Sequence, residues 1–312
     1  MEKFKQGARV VFFGDSITAN GTWMRRILEY YRKNTDIRFE IYNAGVAGDN
    51  ATNGYNRIRD ALLYRNPTDV VVMFGMNDVG RGYYKEGATY DVVAERRACI
   101  ETSILKVKQI VAFLRNRGIR VIIASPTPYD EFSEVEGYNY LGVEAALYEI
   151  GDRLSVYAKD AGIPFIPFNS TMLPILKRAY KEGKSFIGPD RVHPTAQGHE
   201  LMAAIFLKEQ GFDIEIPETV EEMTALSNRP FDAWEEKRYA LERRLTLPMY
   251  IDRCCFSGVK DTKDVLKYAS DMLKEEQSPY VKTTIEAYND FALKKDELIK
   301  EHLEHLKTVY DN

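Results

Sequence analysis

Three polar residues that are far apart in the chain have the types needed for a nucleophilic centre. Ser16 ends the segment Val-Val-Phe-Phe-Gly-Asp-Ser at 10–16, in which an apolar run stops at a glycine-containing turn. Asp190 and His193 stand three residues apart, much later in the chain. A serine hydroxyl is a weak nucleophile at neutral pH unless a nearby base takes its proton. We therefore predict that Ser16 is a nucleophile, His193 its general base and Asp190 the carboxylate that orients the imidazole.

Two further segments carry hydrogen-bond donors that suit acyl transfer. One apolar run leads to Gly45, and another leads to Asn77. The backbone N–H groups of Ser16 and Gly45 and the side-chain amide of Asn77 are predicted to stabilise an oxyanion in the transition state. The alternatives are structural: Ser16 as a helix cap, His193 as an exposed loop histidine and Asp190 as a turn residue after a Gly-Pro pair. Gly45 would then be a turn glycine, and Asn77 a turn or cap residue.

Strand-like and helix-like segments alternate around these residues. Strands are predicted at 8–15, 37–45, 69–78, 120–126 and 163–168, and helices at 22–33, 51–65, 90–117, 140–161, 170–182 and 195–210. The strands read as continuous apolar runs, which is typical of a parallel sheet with helices on both faces. Ser16, Gly45 and Asn77 then lie at the carboxyl ends of the first three strands, on the rim where open α/β folds bind ligands.

Four blocks in this order resemble the SGNH, or GDSL-type, hydrolase superfamily. They are Gly14-Asp15-Ser16, Gly45 in an Asn-x-Gly setting, Gly75-x-Asn77-Asp78, and Asp190-x-x-His193. The resemblance implies a three-layer α/β/α, flavodoxin-like core, a serine esterase reaction and no cofactor. It implies the triad and the oxyanion donors named above. We expect Asp15 to brace the turn and Asp78 to be structural. Ile17 replaces the leucine of the family's short name, an apolar exchange that leaves the chemistry unaffected.

The chain has only four histidines, so His193 has few rivals as the general base. His199 is predicted to lie within the helix that follows His193, and it is the other histidine before the C-terminal region that could act as the general base. His302 and His305 belong to the C-terminal region, where we expect them at solvated helix positions.

Aromatic residues follow the third and fourth predicted strands, on the rim that carries Ser16. Four of these residues are predicted to bind substrate, because aromatic faces suit sugar rings: Tyr83, Tyr84, Tyr129 and Phe132. Ordinary loop packing is the alternative.

The polar loops favour a small acyl group on a polar alcohol, such as an O-acetylated carbohydrate. A lysophospholipase or thioesterase would have a more apolar acyl groove. An interaction protein that uses its C-terminal helices on an inactive core is the alternative from a different class.

Composition argues against several other classes of protein. A net charge of −4 leaves no basic excess for nucleic acid, and no apolar run approaches the roughly 18–20 residues of a transmembrane helix. No secretory apolar region precedes the first strand, and three cysteines make no disulfide framework, so we expect a cytoplasmic protein. The cysteines lack the spacing of metal ligands, and no metal is predicted.

The composition changes near residue 212. We predict an SGNH hydrolase domain at 1–212 and a helical extension at 213–312, with helices near 230–250, 261–276 and 279–309. In the last helix Ile285, Ala292, Ile299 and Leu306 form an apolar stripe at seven-residue spacing. Since an amphipathic helix needs an apolar partner, we expect a homodimer through this region in preference to docking on the chain's own core.

Overall fold

The computed structural model describes residues 1–62, 65–85, 90–242, 294 and 296–310. The chain divides into two compact units, the first comprising Met1–Gly45 with Asp49–Pro230 and the second Val46–Gly48 with Phe231–Asn312. The boundary between a hydrolase domain at 1–212 and an extension at 213–312 stays a prediction.

Five parallel strands form the sheet of the first unit. They are β1 (Arg9–Gly14), β2 (Glu40–Gly45), β3 (Asp69–Met73), β4 (Arg120–Ala124) and β5 (Phe165–Ile166). Their order across the sheet is β2-β1-β3-β4-β5, and every neighbouring pair is parallel. This is the strand order of flavodoxin-like folds, so the predicted α/β class is confirmed. Because the order reverses at β1, a ligand crevice is expected at the carboxyl end of that strand.

Eight α-helices belong to the described part of the first unit. They are α1 (Ser16–Asn20), α2 (Thr22–Asn34), α3 (Ala51–Ala61), α4 (Tyr90–Arg115), α5 (Val143–Ala161), α6 (Phe168–Lys181), α7 (Ala196–Glu209) and α8 (Val220–Ser227). The six helices predicted between 22 and 210 correspond to α2–α7. The sequence prediction missed α1 because five residues are too few to show a helical period.

Neighbouring residues of β1 point to opposite faces of the sheet, and both faces are covered. The Phe12 ring packs edge-on against Trp23 of α2, with 5.0 Å between ring centroids, and also meets Phe206 of α7. Arg57 of α3 lies over the Phe13 ring, 4.6 Å from its centroid. Helices therefore cover both sides of β1, which is why this strand reads as a continuous apolar run.

The second unit has two helical segments among its described residues, at 233–242 and 296–307. Trp234 joins them, because its indole stacks on the His305 ring at 5.0 Å and donates to Thr308 Oγ1 at 2.6 Å. His302 is fully buried, and His305 Nε2 lies 3.0 Å from the carbonyl oxygen of Trp234. The expectation of solvated positions for these two histidines is therefore wrong, because His302 is buried and His305 packs against Trp234 of the other helical segment.

The apolar stripe of the last helix differs in register from the predicted one. Leu298, Leu306 and Val309 are buried, whereas Ile299 is only half-buried. Steps of three and four residues follow the helical period more closely than a strict seven-residue repeat through Ile299. The predicted helix at 261–276 and the stripe residues Ile285 and Ala292 lie outside the described residues. The homodimer stays a prediction.

Candidate active site

The structure brings Ser16, His193 and Asp190 into one hydrogen-bonded row. Ser16 is the first residue of α1, directly after β1, and its Oγ lies 2.7 Å from Nε2 of His193. The other ring nitrogen of His193, Nδ1, bonds the carboxylate of Asp190. With Nδ1–H donating to Asp190, Nε2 is the acceptor for the Ser16 hydroxyl, and this is the tautomer that a general base requires.

The two carboxylate oxygens of Asp190 make different contacts. Oδ1 accepts the backbone N–H groups of Val192 and His193, both at 3.0 Å, and so closes the turn, while Oδ2 bonds the imidazole. Partial burial opposes ionisation, but the hydrogen bonds from His193 and Val192 hold the pKa of Asp190 below its ordinary value. The sequence left turn formation and orientation of the imidazole as alternatives, and this geometry accommodates both.

His199, the internal rival of His193, is buried in α7. Burial lowers the pKa of its imidazole to about 3, so the ring is neutral at neutral pH. A histidine that resists protonation in this way is a poor general base toward a serine hydroxyl.

The end of β2 holds the short helix that begins with Ser16. Asn43 is buried, and its Nδ2 donates to the carbonyls of Thr18 and Ala19, each at 3.0 Å. Its Oδ1 accepts the N–H of Gly45 at 2.9 Å. One side chain therefore satisfies two carbonyls of α1 and attaches the helix to the sheet.

The Gly45 N–H, a predicted oxyanion donor, has a hydrogen-bond partner within its own strand. That N–H is bonded to Asn43 Oδ1, and the glycine is buried beneath α1. A Cβ at this position would lie 2.2 Å from the backbone nitrogen of Ala19. The absence of a side chain at Gly45 thus serves the close approach of α1, which is a packing reason for the glycine.

Asn77 follows β3 and is held at both ends of its amide. Nδ2 donates to the carbonyl of Asp49 at 2.8 Å, and the amide carries a second N–H. The guanidinium of Arg81 faces Asn77 Oδ1, with both terminal nitrogens at 3.5 Å, and it donates to the carbonyl of Met76 at 2.7 Å. Contacts at both ends preorganise the amide as a donor, as an oxyanion site requires.

Three buried carboxylates lie behind these groups. Asp15 accepts the N–H of Ile17 at 2.9 Å and caps α1, while Asp78 accepts the first N–H of α3, also at 2.9 Å. Burial raises the pKa of Asp15 to about 7 and that of Asp78 to about 6. The third carboxylate, Asp49, is paired with Arg57 at 2.5 Å.

Arg191 holds the turn between Asp190 and His193 against the loop that follows β4. Its φ of 66° is in the left-handed region, which is uncommon for a residue other than glycine. The guanidinium is buried and donates to three backbone carbonyls of the segment 130–135, at 2.9–3.0 Å. The sequence did not single out this residue, because an arginine in a polar turn is ordinarily expected to be exposed to solvent.

The four aromatic residues predicted to bind substrate differ in their exposure to solvent. Tyr83 is exposed and lines a cavity together with Asn77. Tyr84 and Tyr129 are buried in loop packing, so the structure does not expose these two rings on the rim, and their role in substrate binding stays a prediction. Phe132 is half-buried and packs toward α6. Burial depends on residues distant in sequence, which is why residue type alone did not distinguish them.

Within the described ranges, no three His, Cys, Asp or Glu side chains are grouped so that they could hold a metal ion. None of the described helices combines the length and the apolar character needed to cross a membrane. The cytoplasmic location and the absence of a nucleic-acid partner stay predictions.

Residues 12–201 match the model of a family described as the GDSL-like lipase/acylhydrolase family. An acetylxylan esterase of Geobacillus stearothermophilus is 26% identical to this chain over 233 residues, which cover 68% of this chain and 97% of that protein. The matched range contains all four sequence blocks of the site, from Gly14 to His193.

Solved structures share the fold. A gut microbial diltiazem-metabolizing enzyme superposes with a TM-score of 0.81 at 19% identity, covering 100% of this chain and 96% of that chain. The acetylxylan esterase of Geobacillus stearothermophilus superposes with a TM-score of 0.55 at 21% identity, covering 68% of this chain and 97% of its own. At these identities the similarity concerns the fold alone.

Gly45→Ala is expected to destabilise the protein, because alanine keeps the backbone N–H while its Cβ meets the backbone of α1. Overpacking of this kind costs typically about 1–3 kcal/mol. Urea unfolding measures the loss, with Gly82→Ala as the matched control, since a Cβ at Gly82 meets nothing within 4 Å. An unchanged unfolding midpoint combined with a fall in kcat would contradict this explanation.

Arg191→Ala is expected to lower kcat by up to about 10²-fold with little change in KM, because small displacements of catalytic groups are costly. Arg191→Lys keeps the charge but not the planar group that reaches three carbonyls, so it should recover only part of kcat. Steady-state kinetics measures both, with Arg178→Ala on the exposed side of α6 as the control. A wild-type kcat in Arg191→Ala would show that the bonds from Arg191 to the segment 130–135 do not position His193.

Proposed function

This chain belongs to the GDSL-like lipase/acylhydrolase family of ester hydrolases, and we propose that Ser16, His193 and Asp190 carry out its reaction. The observation that carries the proposal is the 2.7 Å contact between Ser16 Oγ and His193 Nε2. It continues through Nδ1 of the same ring to Asp190. A hydroxyl, an imidazole and a carboxylate in this order are the parts of a serine nucleophile activated by a general base.

In the first half of the reaction His193 Nε2 takes the Ser16 proton as Oγ bonds the ester carbonyl carbon. The carbonyl electron pair moves onto oxygen, which becomes the oxyanion of a tetrahedral intermediate. When the intermediate collapses, His193 gives the proton to the leaving alcohol, and the acyl group stays on Ser16. Asp190 stabilises the imidazolium that exists between these two proton transfers.

In the second half a water molecule takes the place of the alcohol. His193 removes a proton from the water, whose oxygen attacks the acyl carbonyl. The second tetrahedral intermediate then collapses, Ser16 recovers its proton, and the carboxylic acid leaves.

The oxyanion is stabilised by the backbone N–H of Ser16 and by the side-chain amide of Asn77. One N–H of that amide is used on the carbonyl of Asp49, so the second N–H is the donor assigned to the oxyanion. A single donor of this kind is worth about 2.7–4 kcal/mol in the transition state. The third donor that the sequence assigned to Gly45 is left out, because its N–H is bonded to Asn43.

The substrate class that we infer is an O-acetylated carbohydrate. The curated relative with 26% identity is an acetylxylan esterase, and the match covers 97% of that protein. In this chain, the cavity that adjoins Asn77 is lined by polar and aromatic side chains, among them Arg81 and Tyr83. Such a lining suits a small acyl group on a polar alcohol more than a long acyl chain.

Ser16→Ala should fold normally and lower kcat by about 10³-fold or more, because the covalent route is lost. A fluorophosphonate probe should label the wild-type protein at Ser16, with Ser170→Ala on α6 as the control that keeps both labelling and activity. Peptide mapping of the labelled protein locates the adduct. Label on another residue, or full activity in Ser16→Ala, would refute the assignment of the nucleophile.

Acyl length tests the substrate class. Acetyl esters should be hydrolysed with a higher kcat/KM than octanoyl esters of the same alcohol, because a polar site leaves a long alkyl chain without an apolar surface to cover it. Kinetics on p-nitrophenyl esters of increasing acyl length makes the comparison. A clear preference for octanoyl would favour a lysophospholipase or thioesterase instead.

A further inference from the structure

A cavity of about 400 Å³ lies beside Asn77. Its lining residues are Asn77, Gly80, Arg81, Gly82, Tyr83 and Tyr140. Small-molecule sites have volumes of about 300–1,000 Å³, so this space suits a whole small molecule and exceeds what an acetyl group needs. Because Asn77 belongs both to the cavity wall and to the proposed oxyanion donors, a molecule bound in the cavity lies next to the reacting ester.

The cavity walls offer aromatic faces and a cation. Tyr83 is 39% exposed, and the half-buried Tyr140 packs against Tyr138 with 4.9 Å between ring centroids. The guanidinium of Arg81 is anchored on the carbonyl of Met76, and no carboxylate is among the residues that line the cavity. A guanidinium carries five N–H donors, so Arg81 can donate to a molecule in the cavity in addition to the carbonyl of Met76.

This combination suits a sugar ring better than an acyl chain. The C–H face of a pyranose packs on an aromatic ring, while its hydroxyls accept from a guanidinium and bond tyrosine hydroxyls. An alkyl chain would remove water from Arg81 and from the tyrosine hydroxyls without replacing the lost hydrogen bonds, which costs free energy.

We propose that this cavity is the subsite for the sugar ring that bears the ester in an O-acetylated saccharide. Tyr83 and Tyr140 pack against the ring, and Arg81 donates hydrogen bonds to its hydroxyls. Arg81 also faces the amide oxygen of Asn77, so the group that selects the alcohol touches the group assigned to the oxyanion. This inference rests on the proposed function and adds the residues that select the alcohol.

Gly82 allows a direct steric test of the cavity. A Cβ built on this residue meets no atom within 4 Å, and its backbone is outside the left-handed region. A larger side chain at Gly82 therefore has open space to enter without backbone strain. Gly80 offers no such test, because its φ is +63° and a Cβ there would lie 2.7 Å from the Tyr83 ring.

The experiment measures kcat/KM on monoacetylated xylobiose and on ethyl acetate for four proteins. These are the wild type, Gly82→Leu, Tyr83→Ala and the control Tyr148→Ala, which removes an exposed tyrosine of α5. We expect the ratio of the sugar ester to ethyl acetate to fall about tenfold in Gly82→Leu and Tyr83→Ala, a loss comparable to one aromatic contact. The fall should come mainly from KM, and the control should keep the wild-type ratio.

The outcomes separate the subsite from the proposed function. Equal ratios in all four proteins would overturn the subsite, as would a wild type that cleaves ethyl acetate but not the sugar ester. A folded wild type that cleaves neither ester would overturn the proposed function itself. Thermal unfolding checks that each variant is folded, and the two cavity variants test the subsite independently of each other.

Discussion

The attachment of α1 to the end of β2 is the contact on which the geometry of the site depends. Asn43 bonds two carbonyls of the helix, and Gly45 lets the helix backbone come close enough for those bonds to form. Ser16 is the first residue of that helix, so the position of its hydroxyl follows from this contact. A five-residue helix has too few internal hydrogen bonds to hold itself, and the sheet supplies the missing support.

The other polar groups of the site are also held in place by hydrogen bonds to the protein backbone. Asp190 uses one oxygen on the backbone of its own turn and the other on His193. Asn77 is held by the carbonyl of Asp49, and the guanidinium of Arg191 holds the turn against a neighbouring loop. Groups held before the substrate arrives need no reorganisation when charge develops, which is the main electrostatic advantage of an enzyme over water.

Three carboxyl groups are buried near the site, and their negative charge is reduced either by an ion pair or by partial protonation. A carboxylate close to a developing oxyanion opposes it, and Asp15, Asp49 and Asp78 are all buried in this region. Arg57 pairs with Asp49 and also donates to the carbonyl of Gly14 at 3.0 Å. Burial raises the pKa of the other two carboxyls to about 6–7, so each is partly protonated near neutral pH and its repulsion is reduced.

The sequence by itself determined the parallel α/β sheet, because apolar runs mark the strands. It also indicated the pairing of Ser16 with His193, through their residue types and the resemblance to a known family of serine hydrolases. Because the ends of parallel strands share one rim, the sequence further indicated that Asn77 stands on the rim that carries Ser16. Only the tertiary structure decided that the Gly45 N–H is bonded within its own strand, that Arg191 is buried, and which aromatic rings remain exposed. These properties depend on backbone approach and burial against segments far away in the chain, and no local pattern of residue types records such distances.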